Sequence, residues 1–135
     1  MGLLHFRLII MKPNKITIHH TDSSRDKTIL SDIDSWHKLR WPDFKSSLGY
    51  WIGYNYVILG NGNVIQTRYD DETGAHTKGY NEGNIGICLT GRFNTESPSE
   101  AQILALNTLT DRLKMTYGIT EVKAHRDYNK TEWFI

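Results

Sequence analysis

At 135 residues the chain has the length of one domain, large enough to bury a core without staples, and its single cysteine, Cys88, excludes an intramolecular disulfide. An apolar fraction of 39% and a charged fraction of 23% describe an ordinary globular protein. With 16 scattered basic residues against 15 acidic ones, the net charge of +1 gives no electrostatic case for nucleic acid or an anionic membrane surface.

Residues 1–10 are apolar but too short to span a bilayer, and they lack a small-residue cleavage site. They read as an extension of little relevance to the fold, with the domain running over residues 11–135. No export signal is recognised, so synthesis in the cytoplasm is expected. Residues 15–19 alternate polar and apolar, which predicts a strand. After a polar loop, residues 28–40 predict a helix with Ile29, Ile33 and Trp36 on one face. Residues 41–51, with Pro42 and Gly49, are irregular and suit one wall of a groove.

Residues 54–59 and 64–67 predict two strands of a hairpin, because Gly60-Asn61-Gly62-Asn63 between them tolerates positive φ. Residues 74–81 form a loop rich in Gly, His and Lys, and 84–89 a central strand. The clearest helix covers 98–117, with Ser97 as N-cap, Pro98 at its first position, Glu100 completing a capping box and Gly118 closing it. Its expected buried stripe is Ile103, Leu106, Leu109 and Leu113. Residues 122–125 predict a last strand. Strands and helices alternate around one hairpin, which predicts an α/β single domain: a mixed central β-sheet with helices packed on it.

His19 and His125 each end a short alternating stretch, where a strand delivers a side chain into a cleft. Two imidazoles on neighbouring strand ends can hold zinc if a third ligand joins them. Taken singly, a surface or hydrogen-bonded core histidine is the commoner arrangement. His20 must face the other side of the sheet from His19. The Tyr54 hydroxyl, at a strand start, could orient a water or steady an oxyanion, or Tyr54 is a half-buried strand aromatic. His76, in a glycine-flanked loop, either reaches over a site or stays solvated. Cys88 reads as a buried, inert thiol. Four tryptophans and seven tyrosines suit a core, or a groove for carbohydrate or peptide.

In order, these segments resemble the zinc-dependent N-acetylmuramoyl-L-alanine amidases, the family of phage lysozyme-type amidases and peptidoglycan recognition proteins. The resemblance runs from Lys15 to Glu132. Ile18-His19-His20-Thr21 resembles the first zinc motif and Ala124-His125-Arg126-Asp127 the second. Trp36-His37-Lys38 is similar to the family's first helix. Gly53-Tyr54-Asn55-Tyr56 resembles the strand of the catalytic tyrosine. Arg68 and the segment from Gly74 to Asn81 resemble part of the substrate cleft, and Asn84-Ile85-Gly86-Ile87-Cys88-Leu89 the central strand.

The resemblance implies a peptidoglycan hydrolase that cleaves the amide between N-acetylmuramic acid and L-alanine of the stem peptide, with zinc as cofactor. It implies His19 and His125 as metal ligands, Tyr54 and Thr131 as catalytic residues, and Arg68 and His76 as substrate contacts. Peptidoglycan is the implied partner, met by a monomer after release or cell lysis as for an endolysin or prophage product. Eight residues beyond the second zinc histidine the family carries a cysteine; here Trp133 stands, as in a chain truncated at its C-terminus. Asp127, Glu132 or the carboxylate of Ile135 remain as substitute ligands. The alternative is a catalytically impaired peptidoglycan-binding protein that keeps the groove without the metal.

Overall fold

A computed structural model describes residues 12–125. Five strands, β1 (Lys15–His20), β2 (Tyr56–Ile58), β3 (Val64–Gln66), β4 (Asn84–Leu89) and β5 (Glu121–Ala124), make one sheet in the order β3-β2-β4-β1-β5. Among the described strands only the hairpin pair β2–β3 is antiparallel; β2–β4, β4–β1 and β1–β5 are parallel. The sheet is therefore mixed, as the alternation of elements predicts. Gly62, at φ +89°, turns the hairpin, with Leu59 N–H donating to Asn63 O at 2.9 Å.

Among the described residues two helices flank the sheet, α1 (Leu30–Arg40) and α2 (Glu100–Tyr117). Ile16, Ile58, Ile85, Ile87 and Leu89 pack with Leu109 and Leu113 of α2 in one core cluster. Ile52, Tyr54, Val57 and Cys88 pack with Ile33 of α1 in a second. β4 is buried along its whole length, as expected of a central strand covered on both faces.

The helix details depart from expectation in two places. The N-cap of α2 is Ser99 rather than Ser97: its Oγ accepts from Gln102 N at 3.0 Å while Gln102 Oε1 accepts from Ser99 N at 3.0 Å. This capping box outcompetes the Pro98 start because it satisfies two otherwise orphaned N–H groups at once. It also fixes the rotation of α2, so that Gln102, Leu109 and Leu113 are its buried residues and Ile103 is 46% exposed. Gly118 closes the helix in the left-handed region, as expected. In α1 the buried pair is Ile33 and His37, one turn apart, whereas Ile29 and Trp36 are exposed. No helix among the described residues is long and apolar enough to cross a membrane.

Candidate functional site

The alternation along β1 sends Ile16 into the α2-side core and His19 to the opposite face. His19 pairs in register with Cys88 of β4. On its other side, Ala124 is registered with Ile18, and His125 N–H donates to Ile18 O at 3.0 Å. The two imidazoles consequently sit side by side, their centroids 4.9 Å apart and their planes at 35°. They lie at the carboxyl ends of adjacent parallel strands, where open α/β sheets place their sites. His20 turns away, and its Nδ1 accepts from Phe93 N–H at 2.9 Å.

His76 joins the pair from the 74–81 loop. Asn81 Oδ1 accepts from the backbone N–H groups of His76 and Thr77 at 2.9 and 2.7 Å, which folds the loop back on itself. The His76 ring then lies against Gly86 of β4, and a Cβ there would come within 2.6 Å of it. Its Nδ1 is 2.9 Å from His19 Nε2 and 2.9 Å from Thr77 Oγ1, and its Nε2 is 2.9 Å from Asn84 O. Tyr54 closes the cluster, its ring 5.2 Å from His19 and 6.5 Å from His76.

The electrostatics follow from burial. His19 is fully enclosed, so its pKa falls well below the ordinary histidine value, first through desolvation and then through repulsion from His76 and His125. Burial likewise takes His76 down to about 4. Tyr54 is pushed well above the ordinary tyrosine range, by burial first and then by the Cys88 thiol. His19 and His76 are thus neutral imidazoles beside a neutral phenol.

His37 is a site residue that the sequence reading did not single out. Its Nδ1 accepts from Gly53 N–H at 2.8 Å and its ring lies 5.2 Å from Tyr54. It therefore holds both the backbone and the ring of the segment that delivers Tyr54. The available signal was its spacing of four residues from Ile33 on the buried face of α1. Thr77 and Gly86 were missed as well, since neither shows its role before the loop is folded.

Arg68 and His76, expected as substrate contacts, are 2% and 1% exposed. Arg68 donates from Nε to Ile52 O at 2.8 Å and from a terminal nitrogen to Phe44 O, with its guanidinium over the Phe44 ring. It fastens the irregular 41–52 wall to the sheet. Cys88 is fully buried and its thiol is pushed above the ordinary range by burial, as an inert cysteine should be. Thr131 and Trp133 lie outside the described residues.

Beside the histidines opens a cavity of about 330 Å³, lined by Arg40, Trp41, His76, Thr77 and Lys78 among others. A second, of about 210 Å³, lies between His20, His37, Arg40 and Tyr54. Arg40, stacked over Trp41 at 4.7 Å, borders both and has no acidic partner among the described residues. Lys38 and Lys45 both sit over the Trp51 ring at 4.5 Å. Arg40, Trp41 and Lys78 give the lining of the first cavity an aromatic and cationic character.

The residues present fit a metal ion in one specific respect. His19 Nδ1 is a buried polar atom with no hydrogen-bond partner, and such atoms are costly unless something binds them. Among the described residues no group of three His, Cys, Asp or Glu side chains is placed to hold a metal ion; the His19–His125 pair offers two donors.

Sheet and site together define an α/β protein with a buried histidine cluster at the ends of its parallel strands. The family model described as N-acetylmuramoyl-L-alanine amidase matches residues 10–133. The chain belongs to this amidase family. It is 34% identical over 102 residues to an endolysin of Enterobacteria phage K11, covering 71% of this chain and 62% of the endolysin. It is 32% identical over 127 residues to peptidoglycan-recognition protein SC1a of Drosophila melanogaster, covering 85% of this chain and 64% of that protein. The chain thus spans less than two thirds of either relative. The solved structure of N-acetylmuramoyl-L-alanine amidase LysC from Clostridium intestinale URNW is similar at a TM-score of 0.78 and 32% identity, covering 91% of this chain and 76% of that one.

Proposed function

We propose that this chain is a zinc-dependent peptidoglycan hydrolase that cleaves the amide joining N-acetylmuramic acid to L-alanine of the stem peptide. The observation that carries the reading is the His19–His125 pair with a buried, unsatisfied His19 Nδ1. His19 and His125 would hold the ion, which when bound supplies Lewis acidity towards the amide carbonyl and the attacking water. Tyr54, kept neutral by burial, serves as a hydrogen-bond donor towards the reacting oxygen rather than as a base. Thr131 is proposed as a second donor to the oxyanion. Arg68 acts behind the cleft by fixing its wall. Arg40 and Lys78 face the cleft, where carboxylates of a stem peptide would meet them. The protein acts as a monomer on the wall after release or lysis.

A second reading is a peptidoglycan-binding protein without catalysis. It is favoured by two observations: no three donors are placed to hold a metal ion among the described residues, and Trp133 stands where the family carries a cysteine. One experiment separates the two. The purified chain is dialysed, its zinc measured, and its action on cell walls followed by product analysis. Stoichiometric zinc, with release of free stem peptides that disappears in His19→Ala and His125→Ala, supports the hydrolase. Wall binding without release and without zinc refutes it in favour of the binder.

A further inference from the structure

The hydrogen bonds around His76 determine which of its ring nitrogens carries the proton, and through it the tautomer of His19. Asn84 O is a carbonyl and can only accept, so the His76 Nε2 that lies 2.9 Å from it must be the N–H donor. A neutral imidazole has one ring proton, which leaves His76 Nδ1 bare. That bare atom lies 2.9 Å from His19 Nε2. Two lone pairs at this distance would repel, so His19 Nε2 must carry a hydrogen and donate it. Thr77 Oγ1, 2.9 Å from His76 Nδ1 and 3.3 Å from His19 Nε2, is compatible: it can donate to the first and accept a share of the second. His19 Nδ1 is then the bare nitrogen, and it is the buried atom with no hydrogen-bond partner.

We infer that His76 is a positioning residue: by accepting the Nε2 proton of His19 it holds that imidazole in the tautomer whose Nδ1 lone pair is available to a metal ion. The metal half of this statement rests on the hydrolase reading; the tautomer half stands on the hydrogen bonds alone. The chain of groups is His19 Nε2–H to His76 Nδ1, then His76 Nε2–H to Asn84 O, with the His76 ring seated on Gly86. Ligating histidines commonly donate their second ring N–H to a carboxylate or carbonyl. Here a second histidine stands between the ligand and the carbonyl, so the carbonyl sets the tautomer at one remove. His76 itself points both ring nitrogens at protein partners and contributes none to the ion.

The test is a long-range proton–nitrogen correlation spectrum of the full chain, labelled with ¹⁵N-histidine, stripped of metal with a chelator and held at pH 8. In the wild type the His19 resonances should report a single tautomer protonated at Nε2. A His19 protonated at Nδ1, or averaged between tautomers, overturns the inference, and this reading needs no variant to fold. In His76→Phe, which keeps a ring over Gly86 but no acceptor, His19 should become a mixture of tautomers. Zinc affinity, measured by competition with a chromophoric chelator, should then fall about 10–100-fold. Thr77→Val should leave the His19 tautomer unchanged. Unaltered tautomer and affinity in a folded His76→Phe variant, or a tautomer that follows Thr77 instead, refutes the assignment. A wild-type His19 protonated at Nε2 in a chain that neither binds zinc nor cleaves walls sinks the hydrolase reading and leaves the tautomer device standing.

Discussion

Gly86→Ala gives the sharpest test of how the site is built, because theory sets its sign both ways. An alanine in place of glycine in a strand ordinarily stabilises by about 0.4–1 kcal/mol, through lost freedom of the unfolded chain. At Gly86 the added Cβ would fall 2.6 Å from Cδ2, 2.7 Å from Cγ and 2.8 Å from Nδ1 of His76. Carbon atoms pack best at about 3.5 Å, so the ring must retreat by roughly 0.9 Å from the nearest contact. A shift of that size stretches the 2.9 Å contacts to His19 Nε2 and Asn84 O beyond hydrogen-bond range. Each buried group left unsatisfied costs about 1–3 kcal/mol, and overpacking adds a similar amount. After partial relaxation the net loss should be about 3 kcal/mol, a large part of the roughly 5–15 kcal/mol of a typical domain. Urea unfolding followed by tryptophan fluorescence measures it, with an unchanged slope against denaturant as the check on two-state behaviour. In a His76→Ala background the same substitution should turn neutral or stabilising, giving a coupling of about 3 kcal/mol in the double-mutant cycle. Gly86→Ala that is neutral or stabilising in the wild-type background would show that the ring does not rest on this glycine.

Three further outcomes follow from single contacts. Gln102→Leu should destabilise by about 2–4 kcal/mol in urea, because Gln102 Nε2 donates to the buried Thr90 O at 2.8 Å and its Oε1 caps the part-buried Ser99 N; a loss under ~1 kcal/mol would place the cap elsewhere. Tyr117→Phe should cost about 1.5–3 kcal/mol, since its hydroxyl donates to the Asp70 carboxylate at 2.6 Å alongside Tyr56 at 2.5 Å, tying the end of α2 to the sheet. Burial holds His37 at about 4 against an ordinary 6.5, so the unfolded chain binds a proton that the native state refuses. The stability from this residue is complete above the unfolded value and is lost as pH falls towards the folded one. Near pH 5 the wild type should therefore lose about 1.4 kcal/mol per pH unit more than His37→Asn, and parallel pH profiles would contradict the burial argument.

Much of the fold was legible because it is written in short-range patterns. Alternation located β1 and β4, and Gly60-Asn61-Gly62-Asn63 located the hairpin. The same parity argument separated His19 from His20, and the structure sends the two to different partners. The α2 cap was misplaced because Ser97 and Ser99 offer similar local chemistry; the choice is made by Gln102, whose side chain reaches back to cap Ser99 and forward to Thr90. The roles of Arg68 and His76 were not legible for a related reason. A polar residue in a family-like cleft segment can face a ligand or its own backbone, and only the long-range contacts to Ile52, Phe44, His19 and Asn84 decide which.

The strand that organises the site is β4, although none of its side chains is a candidate for the chemistry. Both faces of β4 are buried, so it cannot alternate in polarity; it alternates in size instead. Ile85, Ile87 and Leu89 fill the space under α2, while Gly86 and Cys88 keep the other face shallow. That shallow face is registered against Thr17 and His19 of β1. Gly86 leaves the room that the His76 ring occupies, and Cys88 lies beneath Tyr54 in the α1-side core. A side chain larger than these two would press on the His76 ring or on Tyr54 and lift it away from His19. The geometry of the histidine site thus depends on the volume pattern of a neighbouring strand as much as on the histidines themselves. For that reason His19 and His125 alone, placed on a sheet with a uniformly bulky central strand, would not reproduce it.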